Sequence, residues 1–355
     1  MENTFNKTKP VYYHPAIERL RVILMLIMCI NLFGFPGAIG NFIQSMCNFV
    51  SIAFFIISGY LVLRPDKDRL KRIARSIKHC AIAFFILAAV YFVINAVYYY
   101  FLGINIFAIM ANKRFWFNFL VMNVWQFDIG GSIWYVQALL YAYIIIYVLD
   151  KLKLLKFDWL IFIIFMIFTI VSGELSGILK WNILGYSFIP GNFLTRALPY
   201  VLLGNIIHRN IDKFLKLTFL KCLIGIIIGF LLMILENGVL DKFGFTGYYG
   251  HLIGMPIVAF FACIPAFTKK DRPGFEKKLG LSRKHVNHIY YLAPIVSIII
   301  AIILKLANNK LTVAAASFIS LITFASCLLI SIIMSYFARK HNNRKEKKEK
   351  TNCSK

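Results

Sequence analysis

Five arginines beside two neighbouring apolar runs are the groups in this chain best suited to hold a ligand. Arg19 and Arg21 open the first run, and Arg69, Arg72 and Arg75 lie in RPDKDRLKRIARSIK, directly after the second. A guanidinium presents paired N–H donors in a planar fork that matches phosphate oxygens, so such a cluster suits a polyanionic ligand. Contact with lipid phosphates at one face of a membrane suits the same residues equally well.

Candidates for moving a proton are fewer. His251, His288 and Glu174 lie at the ends of apolar runs or in the turns between them, and Glu236 and Asp241 are further carboxylates in turns. An interfacial or solvated side chain is the commoner outcome for each. No Asp or Glu falls in the middle of an apolar run, which argues against a proton-coupled transporter with an acidic relay. The seven cysteines include no C-x-x-C pair and no histidine at zinc-ligand spacing, so neither a disulfide framework nor a metal site is expected.

Several uncharged polar residues recur on the apolar runs. Gln44, Asn48, Ser51 and Ser58 follow one another at helical spacing, Asn31 ends the preceding run, and Gln137 stands three residues after Trp134. Such a face either ties helices together or lines a polar path for a substrate. Arg196, in NFLTRALPYVLLGNIIHRN, is the clearest cation within a run, and it either reaches the interface along its stem or lines a polar cavity.

These side chains need membrane helices to position them. Apolar stretches are read at 22–40, 43–63, 80–102, 132–149, 157–173, 187–207, 219–236, 249–267, 289–306 and 312–337. Each approaches the roughly 20 residues that cross a bilayer as a helix. With 60% hydrophobic and only 15% charged residues, a water-soluble domain would have too little polar surface to cover its core. The expected fold is therefore all-α, a polytopic integral membrane protein of about ten helices over residues 1–340, with a basic tail over 341–355. A net charge of +25 raises nucleic-acid binding as a question, but the charges sit in short turns rather than on one folded face, which excludes it.

Orientation follows from the same charges. Of 40 Lys and Arg, 33 fall in 1–21, 64–78, 150–157, 207–221, 268–288 and 338–355, all on alternate turns. By the positive-inside rule both termini are cytoplasmic. The one long outer segment, 103–131, is itself aromatic and apolar and reads as a re-entrant or interfacial element. Trp116, Trp125, Trp134, Trp159 and Trp181 read as an interfacial belt.

The run FVSIAFFIISGYLVLR with its basic loop resembles the second span of the bacterial membrane acyltransferase 3 family. ERLRVILMLIM is similar to that family's first span, GSIWYVQALLYAYIIIYVL to its W-Y/F-x-x-A-L-L-Y span, FLTRALPYVLLGNII to its later "PffllG" span, and HIYYLAPIV to its "IYLIHP" span. The resemblance implies transfer of an acyl group, usually acetyl, from cytoplasmic acyl-CoA to sugar hydroxyls of surface glycans.

It also implies an R-x10-H pattern in the first span. Eleven residues are about 1,100° of helix, so Arg and His would share one face roughly 16 Å apart, the Arg beside the CoA phosphates and the His as a base within the membrane. Arg21 fits the Arg, but Leu32 occupies the His position, and Asn31 beside it cannot act as a base. Ala293 stands where IYLIHP would place its second His, before Pro294.

The reading that results is a membrane-bound O-acyltransferase of the bacterial plasma membrane. Acyl-CoA, in the first instance acetyl-CoA, is the donor, held by Arg19, Arg21, Arg69, Arg72 and Arg75. A surface glycan or lipid-linked saccharide is the acceptor, reached along Asn31, Gln44, Asn48, Ser58, Trp134, Gln137 and Arg196. Membrane lipids are the other partners. The alternatives are an inactive family member serving as a glycan-binding or assembly subunit, and a saccharide transporter or flippase.

Overall fold

The computed structural model describes residues 14–131, 133–172, 192–242, 252–268, 283–307 and 317–353. Their regular structure is helical, with no strand among the described residues. The main helices are α1 (Pro15–Phe33), α2 (Gly37–Met46), α3 (Phe49–Val62), α4 (Arg69–Phe101), α5 (Ile133–Lys151), α6 (Asp158–Ser172), α7 (Leu198–Arg209), α8 (Phe219–Lys242), α9 (Gly254–Thr268), α10 (Arg283–Ala307) and α11 (Ile319–Cys353).

Seven helical stretches are long and apolar enough to cross a bilayer: Gly37–Val62, Arg69–Phe101, Ile133–Lys151, Leu154–Val171, Phe219–Leu240, His285–Ile303 and Ile319–Phe337. The chain is a membrane protein. Three of the ten expected spans fall outside this set for identifiable reasons. The first begins earlier than expected, at Pro15, which suits the first helical position because its missing N–H needs no partner there. It thus takes in Glu18, Arg19 and Arg21, and it ends at Phe33, where Gly34 turns the chain at φ +59°. The span expected at 187–207 is described only from Asn192, as a π-helical turn over Phe193–Ala197 leading into α7. The span expected at 249–267 is described only from Leu252 and contains the 15-residue α9. The second expected span is broken at Cys47–Asn48 into α2 and α3. No break separates the last apolar run from the basic tail, because α11 continues to Cys353.

Helix α3 is the centre of the bundle. The α2–α3 stretch is 78% buried, against 17% for α4 and 22% for α8 and α11, whose exposed residues Phe85, Ile86, Leu231 and Leu329 form an apolar outer surface. A helix apolar all round belongs either in a core or against lipid, and both kinds occur here. Around α3 pack α1, α7 and α9, and α10 and α11 close on the far side of α1. Near one end of the bundle, buried Asp158 accepts from Asn205 Nδ2 at 2.7 Å and from Arg209 Nη2 at 2.6 Å, tying α6 to α7.

The 103–131 segment is a folded element rather than a free loop. Two short helices, Ile106–Ala111 and Lys113–Trp116, lead into a π-helical turn over Phe117–Val121. Phe115, Phe127 and Ile106 pack with Tyr99 into a cluster of their own. Gln137 Nε2 donates to the Phe119 carbonyl and the Tyr141 hydroxyl to that of Leu120, at 2.5 and 2.7 Å, so α5 holds the turn by its exposed carbonyls.

Candidate active site

Helical spacing on α1 places Arg21, Met25 and Met28 on one face, and that face borders a cavity of about 140 Å³. Four other helices complete the wall. Phe54 and Ser58 come from α3, His79, Cys80 and Ala83 from α4, Tyr135 and Leu139 from α5, and Asn287, Tyr290 and Tyr291 from α10. Tyr135 stacks on Phe55 with ring centroids 4.5 Å apart, and the Tyr91 hydroxyl donates to the Tyr291 carbonyl at 2.8 Å. These contacts fix the aromatic side of the wall.

Arg21 is only 7% exposed, and its Nη1 meets Glu18 Oε1 one turn earlier at 2.6 Å. A buried guanidinium with a carboxylate beside it keeps its charge at the cavity without a full desolvation penalty. His79 Nδ1 lies 2.6 Å from the Arg75 carbonyl. A carbonyl only accepts, so in that bond Nδ1 carries the proton and Nε2 of the neutral ring keeps its lone pair. The cavity therefore combines a buried cation, an exposed imidazole, the hydroxyls of Ser58 and three tyrosines, a thiol and an amide.

The five arginines do not converge. Arg21 lines this cavity, whereas Arg69 clamps both oxygens of Asp150 across to α5, its Nε at 2.9 Å. Arg72 folds back on the α3–α4 loop, with Nη1 2.7 Å from both Asp66 oxygens and further bonds to the Val62 and Arg64 carbonyls. That guanidinium holds the Asp66 carboxyl below its usual range. Arg75 is exposed on α4, and Arg19, two residues from Arg21 and so on another side of α1, is half-buried.

The amide face on α1 to α3 ties helices together. Asn31 Nδ2 donates to Asn48 Oδ1 at 2.8 Å and to the Gln44 carbonyl at 3.2 Å, and Gln44 Nε2 donates to the Asn31 carbonyl at 2.6 Å. This cluster bridges the α2–α3 break to the end of α1. Replacing Asn48 by Leu removes one bond and leaves Asn31 with less to hold, so thermal unfolding in detergent should show a loss of about 1–2 kcal/mol. Ser58 alone of the amide and hydroxyl set reaches the cavity.

At the start of α5, beside Tyr135, Arg196 sits over the Trp134 ring, 5.8 Å from its centroid. Trp134 also anchors the 103–131 element, since its carbonyl accepts from Asn123 Nδ2 at 3.1 Å. Of the other candidate bases, His288 meets Ser331 Oγ at 3.0 Å between α10 and α11. Glu236 caps α9, accepting from the Ile253 and Gly254 N–H groups at 3.0 and 3.1 Å. Glu174, His251 and Trp181 lie outside the described residues.

A family model described as an acyltransferase domain matches residues 14–338. The chain belongs to the acyltransferase 3 family. No curated protein and no solved structure gave a match. The positions where the resemblance implies the acyltransferase 3 histidines are both apolar and both packed inward. Leu32 rests partly buried against the core and Ala293 is fully buried in α10, and neither borders the Arg21 cavity. The imidazole that does border it is His79, exposed on α4. Helix α4 runs without a break from Arg69, which carries His79 to the cavity one residue before Cys80.

Proposed function

We propose that this protein transfers a small acyl group, acetyl in the first instance, from cytoplasmic acyl-CoA to a hydroxyl of a cell-surface glycan or its lipid-linked precursor. The observation that carries the reading is the Arg21 cavity, formed by five helices in a member of an acyltransferase family. At about 140 Å³ it matches the acyl end of a thioester and is far too small for a nucleotide, which stays outside it. Arg21 supplies buried positive charge for the donor. The acceptor hydroxyl gives its proton to His79 Nε2, its oxygen attacks the thioester carbonyl, the C–S bond breaks, and the departing CoA thiolate takes the proton back. On this reading Trp134 and Arg196 flank the acceptor's approach from the far side.

On this reading the chain crosses a bacterial plasma membrane ten times with both termini inside. Cysteines placed at Lys242 or Lys310, in a background without native cysteines, should react with an impermeant thiol reagent added to intact cells. Reaction at position 284 from outside would reverse the topology. The function itself is tested by supplying labelled acetyl-CoA to membranes that carry the protein. Label should enter envelope glycan in proportion to the protein present, and label no greater than in membranes lacking it would rule the reading out.

A further inference from the structure

A second recess lies away from the Arg21 cavity, between the α3–α4 loop, the start of α4, the end of α5, the α5–α6 turn and the end of α7. It is an open basin of about 580 Å³ whose charged lining is Asp66, Lys67, Arg69, Asp150, Lys153, Lys156 and Arg209. The acids in and beneath it are already matched to arginines. Asp150 is held by Arg69, Asp66 by Arg72, and Asp158 by Arg209. The three lysines have no carboxylate within ion-pair distance among the described residues, so the basin carries a net excess of ammonium charge.

The rim beside this charge is apolar and open. Leu152, Leu154, Phe157, Trp159 and Leu160 are each at least 40% exposed, and Lys156 Nζ lies 4.8 Å above the Phe157 ring. Exposed Trp and Phe next to lysines at the end of a membrane helix mark the level where headgroups meet hydrocarbon. A free phosphate would satisfy the lysines and leave that rim bare, whereas a phosphate attached to hydrocarbon chains satisfies both.

We propose that this basin binds the headgroup of an anionic phospholipid. Its phosphate is held by Lys67, Lys153 and Lys156, and its chains lie against Leu154, Phe157 and Trp159. Basic recesses between membrane helices select such headgroups because charge there adds to ordinary lipid packing. The site does not depend on the acyl-transfer reading. Bound lipid would bridge the α3–α4 loop and the α5–α6 turn over the Arg69–Asp150 clamp and so brace the bundle at that end.

The test uses the purified full chain in phosphatidylcholine micelles, with phosphatidylglycerol titrated in and thermal unfolding as the readout. Phosphatidylglycerol should raise the melting temperature saturably, and inorganic phosphate should not. Each Lys→Gln change should weaken the effect about five-fold, from roughly 1 kcal/mol per basic residue near an anionic surface. The combined variant K67Q/K153Q/K156Q should lose it. The combined K67R/K153R/K156R variant should keep it, which separates loss of charge from damage to the fold. Equal stabilisation by added phosphatidylcholine, an undiminished response in the Gln variant, or a lost response in the Arg variant would overturn the proposal. Displacement of phosphatidylglycerol by adenosine 3′,5′-bisphosphate would also overturn it and make the basin a nucleotide site instead.

Discussion

Replacing Arg21 by Gln is expected to lower acyl transfer at least 100-fold while the protein still reaches the membrane. Each charge-assisted hydrogen bond lost to the oxyanion that forms on the attacked thioester carbonyl costs ~1.5–3 kcal/mol, and a guanidinium fork makes two, so the combined loss of ~3 kcal/mol or more exceeds two decades in rate. Arg21→Lys keeps the charge without the fork and should recover only part of the activity. Because Arg21→Gln leaves Glu18 buried without its cation, the companion variant is E18Q/R21Q, which removes both charges together. It should fold as well as wild type and remain inactive. Wild-type rates in either variant would show that donor binding does not use this residue.

The second large effect concerns the contact that holds the bundle around the cavity. A Cβ built on Gly204 would lie 2.2 Å from the Ile56 carbonyl oxygen and 2.6 Å from the Tyr60 nitrogen, and one on Gly59 would lie 2.0 Å from the Val201 oxygen. Each of these neighbours is backbone, so no side chain can turn aside to make room. Small residues that let two backbones touch are the usual way membrane helices associate, because water supplies no drive between them. Gly204→Ala must therefore push α7 away from α3, and overpacking at such a site should cost about 3 kcal/mol or more. Thermal unfolding in detergent is the measurement. Gly131→Ala, where an added Cβ meets nothing within 4 Å, is the matched control and should melt as wild type. A Gly204→Ala protein that melts with that control would mean that α3 and α7 are not so close.

What could be read from the sequence divides along physical lines. Apolar length marks each membrane helix locally, and seven of the stretches it marks correspond to helices able to span. The family was legible for a similar reason, since its motifs are local runs whose order the chain preserves. Helix ends were less legible. Nothing of the Gly or Pro type marks the break at Cys47–Asn48; the amides around it complete their bonds only with Asn31, from the preceding helix. The site was hardest, because its residues find one another across the bundle. Arg69 is captured by Asp150, 81 residues away, and the cavity draws its lining from segments between Arg21 and Tyr291. Spacing within one helix could identify the Arg21 face, and it could not say that His79 and Asn287 would meet it.

The claim on which the account rests is that the acyl donor enters the Arg21 cavity, and Cys80 allows this to be measured directly. It is partly exposed and borders the cavity, while Cys29, Cys47, Cys222, Cys263 and Cys327 are buried. In a variant that keeps Cys80 as its only cysteine, the rate of alkylation by a small maleimide is measured with and without acetyl-CoA. Saturating acetyl-CoA should slow the reaction at Cys80 at least ten-fold, and the protection should vanish when Arg21→Gln is added. Alkylation at the same rate with and without acetyl-CoA, in a protein that still transfers acetyl groups, would place the donor elsewhere and contradict the account.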